Sequence, residues 1–534
     1  MQKIIVNQVG FLPSMQKAAV FADACAETVF QVIDAQNDEP VFIGKSGAPK
    51  YDKSSGETVC CGDFSGLTAE GSYYITWAGE KSHSFRISEN VYNDLITEAV
   101  RMMYMQRCGI GLEEQYAGVF AHKPCHTGPA FLYGTDTKAD VSGGWHDAGD
   151  YGRYSVAAAL TAAEMMLAYE SSPQMFWDNT GIPESGNGIP DILDEVRYGL
   201  DWLFKMQDSS GGVYHKVTCA GFPGYVMPEE EREKQILCQL SRTATGSFAA
   251  VMAMAYDCFK NIDEEYARRC LSAAEKAWDY LMSGRGELIT KNPDGIITGA
   301  YENNNCMHET YWAAAQLYKA TQKNEYRKVF EKTASEYTLN GFGWENSGSL
   351  GSLAYLGTDK TLSDAAVREK ITDEIISRAE SCMSVAASGG YAVATENYCW
   401  GSNSKILGCG MELMMAYELT SYRKYYDCAS EQLSYLLGKN PMDVCYVTGF
   451  GANPPHHPHH RPSIAKKTVV RGMVVGGPNK NMQDELARRN FQNTYPALCY
   501  MDDHNSYSTN EIDTYWNTIA VMLLAFIIKN KPKG

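Results

Sequence analysis

The sequence predicts a small β-sandwich of immunoglobulin type followed by a large all-helical domain. Three observations carry this. Short runs of β-branched and aromatic residues, separated by turn signals, fill roughly the first ninety positions. From Val91 onward the apolar residues recur at helical spacing. Between the helices lie long segments at 110–151, 208–242 and 441–509, rich in Gly, Pro, His, Asn and Asp and without that period. Loops of this length in a compact domain are usually functional.

The strand-like runs are residues 4–9, 17–21, 28–33, 40–44 and 73–77, with a hairpin at 78–81 leading into 83–87. They place the sandwich at 1–89 and the second domain at 90–534. Twelve helices are predicted there, beginning near residues 91, 152, 190, 243, 263, 308, 324, 344, 363, 403, 421 and 510. Ile192, Leu193, Val196, Leu200 and Leu203 mark one apolar face, entered through Gly188-Ile189-Pro190. Tyr266, Cys270, Ala273, Ala277, Trp278 and Leu281 mark another, which stops at Gly284. An even number of helices joined by short connections, with long loops at one end, fits a helical barrel.

Of the 534 residues 44 % are apolar and 11 % aromatic, enough for a large core. The net charge is −17 with no basic stretch, which argues against nucleic acid and anionic membrane surfaces. A neutral sugar meets no such objection. No run reaches the ~18 apolar residues of a membrane helix; Ile519 to Ile528 reads as a buried helix. Met1-Gln2-Lys3 runs straight into strand-like residues rather than a leader. The expected location is cytoplasmic, or secreted if a leader has been removed. The 16 cysteines show no disulfide-framework spacing and suit a reducing compartment.

Residues 143–154 read Gly-Gly-Trp-His-Asp-Ala-Gly-Asp-Tyr-Gly-Arg-Tyr. Asp150 there fits a cap on the helix that follows. The functional reading beside it is a general base, an ionised carboxylate that takes a proton from water while Asp147 holds the water or the base. Breaking a glycosidic bond also needs an acid, and Glu511 stands before the very apolar last helix. It reads either as a first-turn Glu favoured by the helix dipole or as a carboxyl kept protonated by apolar packing. Four of the 11 histidines fall within 456–460, just ahead of Arg461. That cluster suits a metal, sugar hydroxyls or an ordinary surface loop.

The motifs Gly143-Gly144-Trp145-His146-Asp147-Ala148-Gly149-Asp150-Tyr151, Trp400-Gly401-Ser402-Asn403 and Leu437-Gly438-Lys439-Asn440-Pro441 occur in that order. They are followed by His459-His460-Arg461, Gly476-Gly477-Pro478-Asn479 and Tyr507-Ser508-Thr509-Asn510-Glu511. Together the six stretches span most of the chain, and it resembles glycoside hydrolase family 9, the cellulases and cellodextrinases. More narrowly it resembles the subgroup with an immunoglobulin-like domain in front of an (α/α)6 barrel. The resemblance implies Asp150 as general base, Asp147 as the carboxylate sharing its water, and Glu511 as general acid. It implies sugar contacts at His459 and Arg461, and further subsite contacts at His215 and Trp400. The family inverts configuration, which puts acid and base about 6.5–9.5 Å apart.

The resemblance also implies a structural zinc at Cys108, Cys125, His126 and His146, whose spacing matches no ordinary zinc finger. Such a metal would clamp the loop that carries the base. For calcium the family pattern has Asp-Glu where this chain has His308-Glu309, so one ligand is missing and Asn303, Asn304 and Asn305 are the remaining candidates. No organic cofactor is implied.

The expected protein is thus an inverting β-1,4-glucanase, a monomer or simple homo-oligomer. The chain ends at Gly534 shortly after its last helix, which favours soluble cellodextrins over crystalline cellulose. Endo and exo cleavage both stay open, as does an exo-acting β-glucosidase or glucosaminidase of the same fold. Two further alternatives are a zinc hydrolase, disfavoured because four protein ligands leave zinc no open position, and a non-catalytic sugar-binding protein.

Overall fold

The computed structural model describes residues 3–532. Met1 and Gln2, where the leaderless start is read, and Lys533 and Gly534 lie outside the described residues. The chain forms two compact units: one comprises the chain up to Met102 with Ile376–His459 and the chain from Lys467, the other Met103–Ile375 with His460–Lys466.

The first unit opens with two antiparallel-rich sheets. One orders its strands Ile4–Ile5, Ala18–Ala22, Glu57–Asp63, Lys50–Asp52; the other orders Gly10–Phe11, Phe85–Ile87, Gly71–Trp77, Val29–Asp34, Pro40–Lys45. Phe11, Phe64 and Phe85 meet edge-on or tilted between them, with centroids 5.4–5.6 Å apart. The sandwich is as expected, but Lys50–Asp52 and Glu57–Asp63 are additional strands. The second reads Glu-Thr-Val-Cys-Cys-Gly-Asp, whose glycine and acidic ends mask a strand in the sequence. The same unit holds helices Ser402–Thr420, Arg423–Leu436 and Thr514–Lys529, packed on one another.

The sandwich is tied to these helices through the Leu437-Gly438 turn. Gln8 N–H donates to Leu437 O at 2.8 Å, and Gln8 Nε2 donates to Asp443 O at 2.9 Å. A Cβ on Gly438 (φ 122°) would come within 2.7 Å of the Gln8 side chain, so only glycine allows this approach.

In the second unit helices Ser155–Ser171, Arg242–Phe259, Met307–Thr321 and Gly348–Leu356 pack in succession. They are buried on nearly every face; Thr243 through Ala255 is unbroken core. Helices Asp191–Met206, Glu264–Met282 and Asn324–Ala334 pack on them with one apolar face each. The two predicted faces are buried as read from the sequence. All twelve predicted helices have counterparts, displaced by a few residues at most. Two displacements matter: the helix expected near 152 begins at Ser155, and the last begins at Thr514. The segments expected to be irregular, together with Arg153–Tyr154 at the expected start of a helix, contribute a small sheet in the order Lys138–Ala139, Ala130–Leu132, Ile236–Leu237, Lys216–Thr218, Arg153–Tyr154. No described helix is long and apolar enough to cross a membrane.

Candidate active site

The loop carrying the paired aspartates is fixed from several sides. Trp145 is buried against helix Asp191–Met206, where a Cβ on Gly199 would lie 2.1 Å from the indole. Its Nε1–H donates to Glu195 Oε2 at 3.2 Å, and Glu195 is paired with the buried guanidinium of Arg107 at 2.9 Å. Gln106 Nε2 donates to the carbonyls of His146 and Ala148 at 3.1 and 3.0 Å. The loop then closes on itself: Asp147 N–H donates to Gly152 O at 3.0 Å, and Gly152 N–H to Asp150 Oδ2 at 3.2 Å.

This geometry corrects the capping reading of Asp150. The next helix starts at Ser155 with Tyr154 in the N-cap position, and Arg153–Tyr154 first pairs with Lys216–Thr218. Asp150 therefore closes a tight turn and caps no helix.

Asp147 and Asp150 are both buried. Burial raises the Asp147 carboxyl to about 8, opposed by the Tyr301 hydroxyl, which donates to its Oδ2 at 2.5 Å, and reinforced by the charge of Asp150. Burial raises Asp150 too, and the Arg461 guanidinium is the strongest influence pulling it back toward the ionised form. Arg461 Nη1–H donates to Gly149 O at 2.9 Å and Nε–H to Pro223 O at 3.1 Å. It thus ties the aspartate loop to residues 222–226 while placing a positive charge beside Asp150.

Tyr301 is itself held in place. Its ring meets those of Tyr154 and Trp344 at 4.7 and 5.1 Å. His215 is buried, with Nε2 2.8 Å from Ala300 O and Nδ1 3.0 Å from Ser241 Oγ, and burial lowers it to about 4. A neutral His215 therefore anchors the residue before Tyr301. Lys216 reinforces the same loop, its Nζ donating to Gly299 O at 2.5 Å and Asn292 Oδ1 at 2.6 Å.

Cys108, Cys125, His126 and His146 are gathered as the sequence suggests, their ligand atoms all within 4.8 Å of one another. Cys108 Sγ lies 3.4 Å from His126 Nδ1, His146 Nε2 lies 3.4 Å from His126 Nδ1, and Cys125 Sγ lies 3.9 Å from His146 Nε2. The edges of a tetrahedron around zinc would be about 3.4 Å for N–N and about 3.6 Å for S–N, so the set fits a closed four-ligand metal site. The outer nitrogen of His126 lies 2.8 Å from Glu231 Oε2, the carboxylate partner that fixes a metal-binding imidazole. Calcium is poorly served. Glu309 Oε2 and the adjacent His308 Nδ1 are buried without hydrogen-bond partners, and burial lifts the Glu309 carboxyl to about 8. One carboxyl beside an imidazole is not the set of six to eight oxygens that calcium takes.

In the first unit, Glu511 lies in an extended stretch rather than a helix. It follows the short helix Tyr507–Asn510 with φ −71° and ψ 154°, and pairs with His459 in a parallel bridge. The last helix is capped by Asp513, so the first-turn reading of Glu511 is also corrected. The remaining motifs converge on this stretch. Gly476 N–H donates to Glu511 O at 2.8 Å and Gly477 N–H to Thr509 O at 2.9 Å. A Cβ on Gly477 (φ 87°) would lie 2.5 Å from the Asn403 side chain, whose amide donates to Val475 O. The buried Asp484 accepts from Ser508 N–H at 3.1 Å and Ser508 Oγ–H at 2.5 Å. Beside Glu511, Tyr507 meets Trp400 at 5.5 Å and His459 at 5.8 Å. Trp400 is 36 % exposed. His459 Nδ1 lies 2.5 Å from His504 O, which sets its ring orientation.

Tyr301, Glu231, Arg107, Lys216 and Asp484 escaped sequence reasoning. Tyr301 stands 154 positions from Asp147 and Glu231 105 from His126, and no local spacing marks either.

Residues 92–524 match the family described as glycosyl hydrolase family 9, and residues 1–82 match the cellulase N-terminal ig-like domain. A cellodextrinase of Butyrivibrio fibrisolvens is 35 % identical, the alignment covering 99 % of this chain and all of the relative. A single-mutant thermostable endoglucanase from Alicyclobacillus acidocaldarius superposes with TM-score 0.92 at 33 % identity, over 99 % of this chain and 100 % of that one. A zinc-binding triple mutant of a family 9 endoglucanase superposes with TM-score 0.91 at 33 % identity, over 97 % and 99 %.

Proposed function

Because this chain belongs to glycosyl hydrolase family 9, we propose that Asp150 deprotonates the attacking water while Glu511 protonates the departing glycosidic oxygen. The chain has the family's fold, an immunoglobulin-like domain followed by an (α/α)6 barrel, and is a glycoside hydrolase of β-1,4-glucans. The observation that carries the assignment of roles is the buried aspartate pair. Tyr301 donates to Asp147, and the charge of Arg461 favours ionised Asp150. A carboxylate so placed can accept a proton from water, while Asp147 with Tyr301 orients that water. His459, Trp400 and Tyr507 contact sugar next to Glu511.

The metal held by Cys108, Cys125, His126 and His146 is zinc, supplying folding energy and fixing His146 directly before Asp147. With four protein ligands it takes no part in activating water. The substrates are β-glucans or cello-oligosaccharides.

The two carboxylate roles separate by leaving group. Glu511→Gln should cut turnover of cellotetraose by about 10²–10⁴-fold. It should largely spare 2,4-dinitrophenyl β-cellobioside, whose leaving group departs without a proton. Asp150→Asn should be inactive on both. Equal losses of Glu511→Gln on the two substrates would reassign that residue, and an active Asp150→Asn would reassign the base.

A further inference from the structure

The second unit contains a cavity of about 890 Å³ whose lining includes none of Asp147, Asp150 and Glu511. Tyr133 on its wall directly follows strand Ala130–Leu132 and donates its N–H to Leu237 O. In the sheet order, two strands separate Ala130–Leu132 from Arg153–Tyr154, the strand that leaves the aspartate loop. Three strand spacings make this about 14 Å. The opposite wall is nearer: Ser155 Oγ–H, directly after that strand, donates to the carbonyl of Tyr214 at 2.6 Å.

The walls alternate aromatic faces with polar groups. Tyr133 is 39 % exposed, and its hydroxyl donates to Asp294 O at 3.0 Å, which holds the ring upright at the rim. Tyr214 and Tyr280 face the same space. Tyr280 is packed so closely that a Cβ on Gly212 would lie 2.7 Å from its ring. Glu287 takes one long hydrogen bond, from Gln239 Nε2 at 3.3 Å, and Lys291 pairs loosely with Asp294 at 3.7 Å. With Asp208, three carboxylates face one ammonium. An anionic ligand is therefore disfavoured, whereas a neutral polyol with flat C–H faces meets both the rings and the hydrogen-bonding groups. The volume admits roughly two to three hexose units.

We propose that this cavity is a remote glucan-binding pocket, which grips a part of the substrate chain beyond the bond being cleaved. The inference rests on the β-glucan reading above. It places Tyr133 as the stacking platform and Glu287 as a hydroxyl acceptor, and its signature is dependence on chain length.

The test compares Tyr133→Ala, Tyr133→Phe and Glu287→Gln in the full chain on barley β-glucan and on p-nitrophenyl β-cellobioside. Tyr133→Ala should lower kcat/KM on β-glucan about 5–10-fold and change the short substrate less than about twofold, as estimated for one lost aromatic contact. Tyr133→Phe, which keeps the ring but loses the hydroxyl bond to Asp294 O, should fall between the parent and Tyr133→Ala, and Glu287→Gln should shift β-glucan in the same direction as Tyr133→Ala. Equal effects on both substrates, or none on either, would overturn the proposal. Calorimetry with cellohexaose in the Glu511→Gln background gives an answer independent of turnover: Tyr133→Ala should weaken binding by a similar factor. If the parent cleaves neither substrate, the hydrolase reading falls, and the calorimetric arm still decides the pocket. Undiminished cellohexaose affinity in Tyr133→Ala, or no binding by the parent, would refute it.

Discussion

Asp150 sits where burial and charge oppose each other. Removal from water favours the neutral carboxyl, while Arg461 favours the carboxylate needed to accept a proton. A base works only when ionised, so on the proposed role of Asp150 the acidic limb of kcat/KM should follow its carboxyl. Arg461→Met removes the main influence lowering that carboxyl, so half-maximal activity on the acidic side should move to higher pH. Activity at the plateau should also fall, because Gly149 and Pro223 lose their common donor. A pH profile of unchanged midpoint would show that Arg461 acts through loop geometry alone. At this scale the sequence was partly legible. Asp147, Asp150 and Glu511 stand out in the sequence as candidates because glycine-framed and helix-adjacent carboxylates are conspicuous. Tyr301 does not, because a hydrogen bond over 154 positions leaves no periodic trace.

Two elements carry the carboxylates, and each is anchored by a group that does not react. The aspartate loop hangs from the Cys108, Cys125, His126 and His146 cluster, from Gln106, and from Trp145 against Glu195. Metal analysis should therefore give one zinc per chain. Its removal by a strong chelator should lower Tm by at least ~5 °C and abolish turnover, since structural zinc contributes folding free energy directly. Chelation that removes zinc but leaves Tm unchanged would refute a clamping metal. The stretch that carries Glu511 is anchored instead by Asp484, fully buried and serving Ser508 N–H, Ser508 Oγ–H, Ser506 Oγ–H and the Ala487 N–H. Asp484→Asn leaves donors mismatched and should cost about 1–3 kcal/mol of stability. The loss of kcat should exceed the change in KM. A lowered Tm with unaltered kcat would confine Asp484 to a structural part. Predicted element types were sound where one apolar face sets the period, as in Glu264–Met282. They failed where short strands borrow their stability from distant partners, as in Lys216–Thr218.

Over the whole molecule, the sequence motifs turn out to be places where the chain crowds itself. Gly199 admits Trp145, Gly438 admits Gln8, and Gly477 admits Asn403. Each glycine is legible as a signal, but the neighbour it makes room for is not, which is why motif order revealed the family while the supporting contacts stayed hidden. On the proposed roles the chemistry is a single displacement, with one water, one base, one acid and a metal that only holds. The anomeric proton of the first-formed product, followed by 1H NMR during early cleavage of cellotetraose, tests this most directly. The α-anomer should appear first and then mutarotate toward equilibrium; a β-anomer formed first would contradict the account.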